Sequence, residues 1–276
     1  MIIGIVGMGL IGGSFAKAYK AKGYDVYGFD TDETILSFAQ LSGAINDVLN
    51  EKSIKKCDLL LVAINPGDAI AYIEKTAPSI DKKTLVIDCC GVKRSVCQRC
   101  FPVAKKYGFT FAGGHPMAGS HNAGFKNSRA NLFNGAAMII VPAVYDDAAL
   151  YGRIEETLKP AGFGHLTFTT AERHDEMIAF SSQMAHVVSN AYIKSPVARS
   201  HKGFSAGSYK DLTRVARLNA DMWAELCMDN RDNLIHELDG FLEAVTQYRD
   251  ALSSQDISRL RALLEEGSRL KGETDR

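Results

Sequence analysis

The chain has 276 residues, with Lys+Arg 32 against Asp+Glu 32, 7 His, 6 Cys and one Trp. That length suits one large domain or two ordinary ones with a real core, and a balanced charge without a basic stretch argues against sequence-independent nucleic-acid binding. No apolar run approaches the roughly eighteen residues of a membrane span, and the apolar N-terminus, with no preceding Lys or Arg and with Gly7 and Gly9 inside it, makes a poor signal peptide; a cytoplasmic protein is expected.

Up to about residue 168, short β-rich runs alternate with helical patterns. Strands are expected at Ile2–Val6, Asp25–Phe29, Leu59–Ile64, Leu85–Asp88, Thr110–Ala112, Met138–Val141 and, as an edge, His165–Phe168. Helices are expected at Ile11–Lys22, Asp32–Leu41, Pro66–Thr76 (with Pro at its start), Val92–Tyr107 and Asp146–Leu158. Continuous apolar strands alternating with helices predict a parallel, doubly wound sheet, an α/β fold with both faces covered. After Phe168 the β signal stops. Thr169 with Glu172 reads as a capping box opening a helix to about Tyr192; a loop at Ser200–Ser208 and helices at Asp211–Leu218, Ala220–Leu252 and Ile257–Leu264 follow, with a frayed polar tail. Leu234, Leu238, Phe241, Val245, Tyr248 and Leu252 form one apolar stripe that so small a helical domain cannot bury alone. The expected organisation is therefore a dinucleotide-binding domain at 1–168 and an all-helical substrate and dimerisation domain at 169–276, assembled as a homodimer.

Gly7-Met8-Gly9-Leu10-Ile11-Gly12 joins the first strand to the first helix, the context in which Gly-x-Gly-x-x-Gly marks a Rossmann-type dinucleotide site. Gly7 permits the turn, Gly9 lets backbone approach a pyrophosphate, and Gly12 lets helix and strand pack closely. The N–H groups opening the helix, from Leu10 and Ile11 onward, face the phosphates. Asp30 ends the second strand, where a carboxylate accepts ribose hydroxyls. Thr31-Asp32-Glu33 offers no cation for a 2′-phosphate, so NAD is favoured over NADP, with Asp32 read as a helix N-cap. Topology adds Asn65 and the region Cys89–Gly91 as further cofactor contacts. The six cysteines read as free thiols: Cys97 and Cys100 merely share a helix face, no second knuckle supports zinc, and no metal is expected.

Gly113-Gly114-His115-Pro116-Met117-Ala118-Gly119-Ser120 follows a strand on the cofactor side. His115 in that glycine-rich loop reads as a general base. His165, His174, His201 and His236 read as surface or packing residues.

Gly9–Ser14, His115–Gly119 and Lys210-Asp211-Leu212-Thr213-Arg214 together resemble the prephenate/arogenate dehydrogenase family, in order and through nearly the whole chain. The resemblance implies an oxidative decarboxylation: hydride passes from the hydroxyl-bearing ring carbon of prephenate to NAD, and CO2 leaves as the ring aromatises to 4-hydroxyphenylpyruvate. It implies that His115 is the catalytic histidine and Arg214 the arginine on a substrate carboxylate, a role suited to a guanidinium fork. Lys210 and Asp211 would tune that site. Ser182 and His186 would line the substrate pocket, and Trp223 would stand near it or pack. Two departures stand out. Gly91 occupies a position where many members carry a serine that orients the catalytic histidine, so a hydroxyl contact to His115 must come from elsewhere, from a water or Ser120, or be absent; and His121 stands where many have an acidic residue, which leans toward the doubly anionic prephenate over arogenate. Neither a fused chorismate mutase nor a separate regulatory domain is expected. The rivals are arogenate as substrate, another two-domain dehydrogenase such as a 3-hydroxyacid dehydrogenase or imino-acid reductase, and a non-catalytic NAD-binding sensor.

Overall fold

The computed structural model describes residues 1–120 and 122–275. It divides into two compact units: Met1–Ile178 together with Asn219–Asp229, and Ala179–Leu218 together with Asn230 onward.

The first unit is built on eight strands: β1 (Ile2–Val6), β2 (Asp25–Phe29), β3 (Asp47–Val48), β4 (Leu59–Val62), β5 (Leu85–Asp88), β6 (Thr110–Pro116), β7 (Ala137–Pro142) and β8 (His165–Phe168). Their order is β3-β2-β1-β4-β5-β6-β7-β8. Every pairing is parallel except β6 with β7, so the sheet is doubly wound but mixed at that point. The strands are apolar on both faces because helices cover both. Ile3, Ile5, Leu59, Leu61, Leu85 and Ile87 face one core, with Phe15 and Tyr19 of α1 (Leu10–Ala21) and Leu36 of α2 (Glu33–Leu41). Leu60, Val62 and Val86 face the other, with α4 (Pro66–Thr76) and α5 (Arg94–Tyr107) beyond the short α3 (Glu51–Ile54). The alternation of neighbours between two cores is the period-two rule of a strand.

The edges of elements account for most departures from the sequence reading. β3 and α3 were absent from it; α3 is only 4 residues long and is fixed by Asn50, whose side chain accepts from the backbone N–H groups of Lys52 and Ser53. β6 runs to Pro116, so His115 lies in a strand and not in a loop. Gly113 and Gly114 looked like strand breakers, yet they pair with Val141 and Ile140. A Cβ on Gly113 would lie 2.7 Å from Cys97 Sγ, and one on Gly114 would strike the Asp88 carbonyl oxygen, so close packing demands glycine there. β7 is followed by α6 (Ala148–Leu158), with Asp147 accepting from Leu150 N–H at its start.

The helix expected from Thr169 to Tyr192 is α7 (Ala171–Ile178), a π-helical stretch at Ala179–Met184 and α8 (Ala185–Tyr192). Its start is capped by Thr170, whose hydroxyl accepts from Arg173 N–H at 3.2 Å, and not by Thr169 with Glu172. α9 spans Gly207–Thr213, ahead of the expected Asp211–Leu218. The expected Ala220–Leu252 helix breaks at Asn230 into α10 (Ala220–Asp229) and α11 (Arg231–Ser253). Buried Asn230 donates from Nδ2 to Gln183 Oε1 at 2.8 Å and accepts from Asn233. The apolar stripe from Leu234 to Leu252 lies wholly within α11 and so carries no mark of where the preceding helix ends. The tail is ordered as α12 (Ile257–Thr274), where Arg269–Glu273 and Lys271–Asp275 pair at i,i+4. Among the described residues no helix is long and apolar enough to cross a membrane, and no cluster of His, Cys, Asp or Glu could hold a metal.

Candidate active site

The glycine turn after β1 is shaped as a phosphate cradle. Gly7 has φ +86°, and a Cβ there would strike Ile64 and the Ala63 carbonyl; a Cβ on Gly12 would strike the Gly7 carbonyl oxygen. At Gly9 nothing lies within 4 Å, so the space a ligand's phosphates need is open. Gly9 is the N-cap of α1, with no side chain bonded over the helix end. The N–H groups of Leu10, Ile11 and Gly12 are thus the helix's first donors, at the positive end of its dipole. Asp30 Oδ2 accepts from Met8 N–H at 2.7 Å and Oδ1 from Asp32 N–H at 3.0 Å, which fixes the carboxylate beside the turn. Asp32 accepts from Thr34 N–H, the helix cap expected of it. Asn65 is the N-cap residue of α4 but makes no side-chain cap bond; Glu225 of α10 instead accepts from Gly67 N–H at 2.8 Å. These residues fit a dinucleotide, with free backbone donors, an open approach and a fixed carboxylate.

His115 sits one residue from the carboxyl end of β6, half-buried. Its Nδ1 lies 2.9 Å from Nε2 of His174, and His174 Nδ1 lies 2.7 Å from Oδ1 of Asp175. Asp175 also accepts from the backbone N–H groups of Lys93 (2.7 Å) and Arg94 (2.9 Å), the start of α5, and from Arg94 Nε. Beneath this lies Asp88, which pairs with the ammonium of Lys93, both side chains fully buried, and accepts from Gly114 N–H and Cys90 N–H. Burial would drain Lys93 of its proton, but Asp88 beside it holds its pKa above the usual lysine value. Desolvation holds His115 well below the ordinary histidine range, helped by His174 and Lys93. His174 is lowered too, by burial, which outweighs the pull of Asp175. Burial acts to raise Asp175, but bonds from His174 and from the α5 backbone outweigh it and lower its pKa. Both rings are therefore neutral and the carboxylate ionised near neutral pH. His115 Nε2 has no protein partner among the described residues.

The sequence reading missed His174 and Asp175. The signal was present: Ala171, His174, Asp175 and Ile178 are the buried positions of α7, the i, i+3, i+4, i+7 face that apolar residues usually fill. The contact to His115 that Gly91 cannot supply comes from His174. A Cβ at Gly91 would lie 3.2 Å from Leu226, which leaves little room for a serine. Cys97 and Cys100 are buried on α5, and burial pushes both thiols up, Cys100 to about 12. His121 lies outside the described residues.

In the second unit, Ser182 falls in the π-helical stretch and His186 on α8. His186 Nδ1 donates to the Val215 carbonyl at 2.9 Å, Ser189 Oγ to Leu212 and Asn190 Nδ2 to Ala216. One face of α8 thereby holds the segment that carries Arg214, exposed at the end of α9, about one turn after exposed Lys210 and Asp211. Trp223 belongs to α10 in the first unit.

Two adjoining family models cover the chain: the nucleotide-binding domain of prephenate dehydrogenase matches residues 15–164 and its dimerization domain residues 170–266. The chain belongs to the prephenate dehydrogenase family. The first match begins just after the glycine turn, whose reading rests on its own geometry. The chain is 27% identical to the prephenate dehydrogenase of Bacillus subtilis over 93% of its length and 71% of that protein. It is 29% identical to the cyclohexadienyl dehydrogenase of Zymomonas mobilis, over 92% and 89%. The fold matches that of prephenate dehydrogenase from A. aeolicus in complex with hydroxyphenyl propionate and NAD+ at TM-score 0.82, with 22% identity, 99% of this chain and 98% of that one covered. As a member of this family the chain is an oxidoreductase with a nucleotide-binding domain.

Gly9→Ala places a methyl in open space, so the melting temperature should hold while NAD affinity falls about tenfold or more by blocking backbone approach. Gly12→Ala should lower the melting temperature as well, because its Cβ meets backbone. Equal effects of the two on stability would contradict the cradle. Two neutral histidines, one half-buried and one buried, also make stability pH-dependent. The unfolded chain takes up protons below the ordinary value of 6.5 that the folded rings refuse. Stability should thus fall as pH drops from 6.5, by up to about 1.4 kcal/mol per pH unit for each ring. Denaturant midpoints read from Trp223 fluorescence check this; a midpoint that rises on acidification would contradict it.

Proposed function

We propose that the chain catalyses NAD-dependent oxidative decarboxylation of prephenate to 4-hydroxyphenylpyruvate and CO2, as a cytoplasmic homodimer in tyrosine biosynthesis. The observation that carries this reading is His115: a neutral imidazole at the carboxyl end of a central strand, one nitrogen committed to His174 and the other available as a base.

NAD supplies the two-electron acceptor when bound. The N–H groups of Leu10, Ile11 and Gly12 would hold its pyrophosphate at the Gly7–Gly9 turn, Asp30 would take the adenosine ribose hydroxyls, and Asn65 would be a further contact. The lack of a cation in Thr31-Asp32-Glu33 favours NAD over NADP. His115 Nε2 accepts the proton of the ring hydroxyl as that oxygen becomes a carbonyl, and loss of the ring carboxylate as CO2 then makes the ring aromatic. Arg214 binds a substrate carboxylate in two-point fashion; Lys210 and Asp211 tune its field. Ser182 and His186 line the substrate side, and His186 also fixes the Arg214 segment through Val215. The functional division is 1–168 for the dinucleotide and 169–276 for substrate and dimerisation. Much of the apolar stripe on α11 is exposed in one chain, with Val245 46% and Leu252 62% accessible, which supports a second copy as its cover.

His115→Asn should lower kcat by about 100-fold or more while leaving NAD affinity nearly unchanged, since the lost group acts on the transition state. Arg214→Gln should mainly raise KM for prephenate. Steady-state kinetics with NAD binding by titration check both; wild-type behaviour of the two variants would refute the site assignment.

A further inference from the structure

We propose that His174 is a positioning residue for His115, and that Asp175 acts through it to fix which nitrogen of His115 carries the hydrogen. The proposal rests on His115 being the base of the reaction proposed above.

An ionised carboxylate can only accept, so the hydrogen between Asp175 Oδ1 and His174 Nδ1 belongs to the histidine. A neutral His174 then has a lone pair on Nε2. The 2.9 Å contact to His115 Nδ1 is a hydrogen bond only if His115 donates. That leaves His115 Nε2 with the lone pair a base needs. Histidine left to itself prefers the opposite tautomer, with hydrogen on Nε2, which would offer a substrate hydroxyl a donor and no base. Asp175 thus selects the reactive tautomer two rings away.

The chain of bonds also serves the charged state. When Nε2 takes a proton, no second proton need leave: the Nδ1 hydrogen stays donated to His174, whose own Nδ1 hydrogen stays donated to Asp175. The groups facing this relay are Asp88 at the end of β5, Lys93, Arg94 and Cys97 at the start of α5, and Asp175 on α7. Lys93 is matched by Asp88. Asp175 is therefore the carboxylate placed to offset a positive charge that forms on the histidine pair. His174 is 2% exposed and Asp175 not at all, so water does not substitute for either partner.

Nitrogen-15 imidazole spectra of the full-length protein near neutral pH, with and without NAD, read the tautomer directly. In the wild type both His115 and His174 should show hydrogen on Nδ1 and a lone pair on Nε2. His174→Leu should shift His115 toward hydrogen on Nε2 and lower kcat about 100-fold, with NAD affinity and KM for prephenate changed by about twofold at most. His174→Gln, which keeps an accepting oxygen, should restore much of both. Asp175→Asn, whose amide can donate where the carboxylate accepts, should disturb the tautomers of both rings. His115 keeping its wild-type pattern in His174→Leu, or His174→Gln being as slow as His174→Leu, would overturn the proposal. A wild type with these tautomers that turns over no prephenate would strike the substrate reading and leave the relay standing.

Discussion

The site depends on a buried carboxylate that does two jobs. Asp175 accepts from the first two backbone N–H groups at the start of α5 and from His174. The first job supplies the helix end with the negative charge its dipole favours and binds α7 to α5. The second passes through His174 to His115 on β6. The same bonds that lower the Asp175 pKa keep it ionised where burial would have neutralised it. One residue thus bonds a helix terminus and, through His174, the ring of His115, so the fold and the proposed chemistry share a stabilising interaction at this point.

Beside it, the Asp88–Lys93 pair sets the height at which β6 ends. Asp88 accepts from Gly114 N–H, the residue before His115, and Gly114 has no side chain because the Asp88 carbonyl occupies that space. A buried ion pair is expensive to desolvate and is tolerated when its remaining valences are filled. Here Asp88 also takes Cys90 N–H, and no buried side-chain nitrogen or oxygen among the described residues lacks a partner. The polar cluster beneath the histidine is thus fully bonded, the condition under which such networks fix a geometry rather than loosen it.

How much of this the sequence disclosed differs by residue. The glycine turn and Asp30 were legible because their roles are local: a strand, a turn and a helix in succession leave few other reasons for Gly7, Gly9 and Gly12. His115 stood out in the sequence as a candidate base, but its strand did not, since glycine and proline propensity points to a loop and only the antiparallel partner β7 makes Gly113–Pro116 a strand. His174 was dismissed as one histidine among several; its significance is a long-range contact across 59 residues that no local pattern carries. The break at Asn230 was hidden for a related reason. The sequence is helix-forming on both sides of it, while the first unit claims Asn219–Asp229, placing Glu225 on the start of α4 and Leu226 over Gly91. Tertiary contacts, not propensity, decide where that chain segment belongs.

On the proposed reading, a neutral His115 held by His174 and Asp175 takes the proton of a ring alcohol while NAD takes its hydride, and the ring carboxylate then departs as CO2. The most direct test is NADH formation, followed by its near-ultraviolet absorbance, with prephenate and with arogenate, each supplied with NAD or NADP. The account predicts turnover with prephenate and NAD above every other pair. Measurable NAD binding with no turnover on any pair would contradict it.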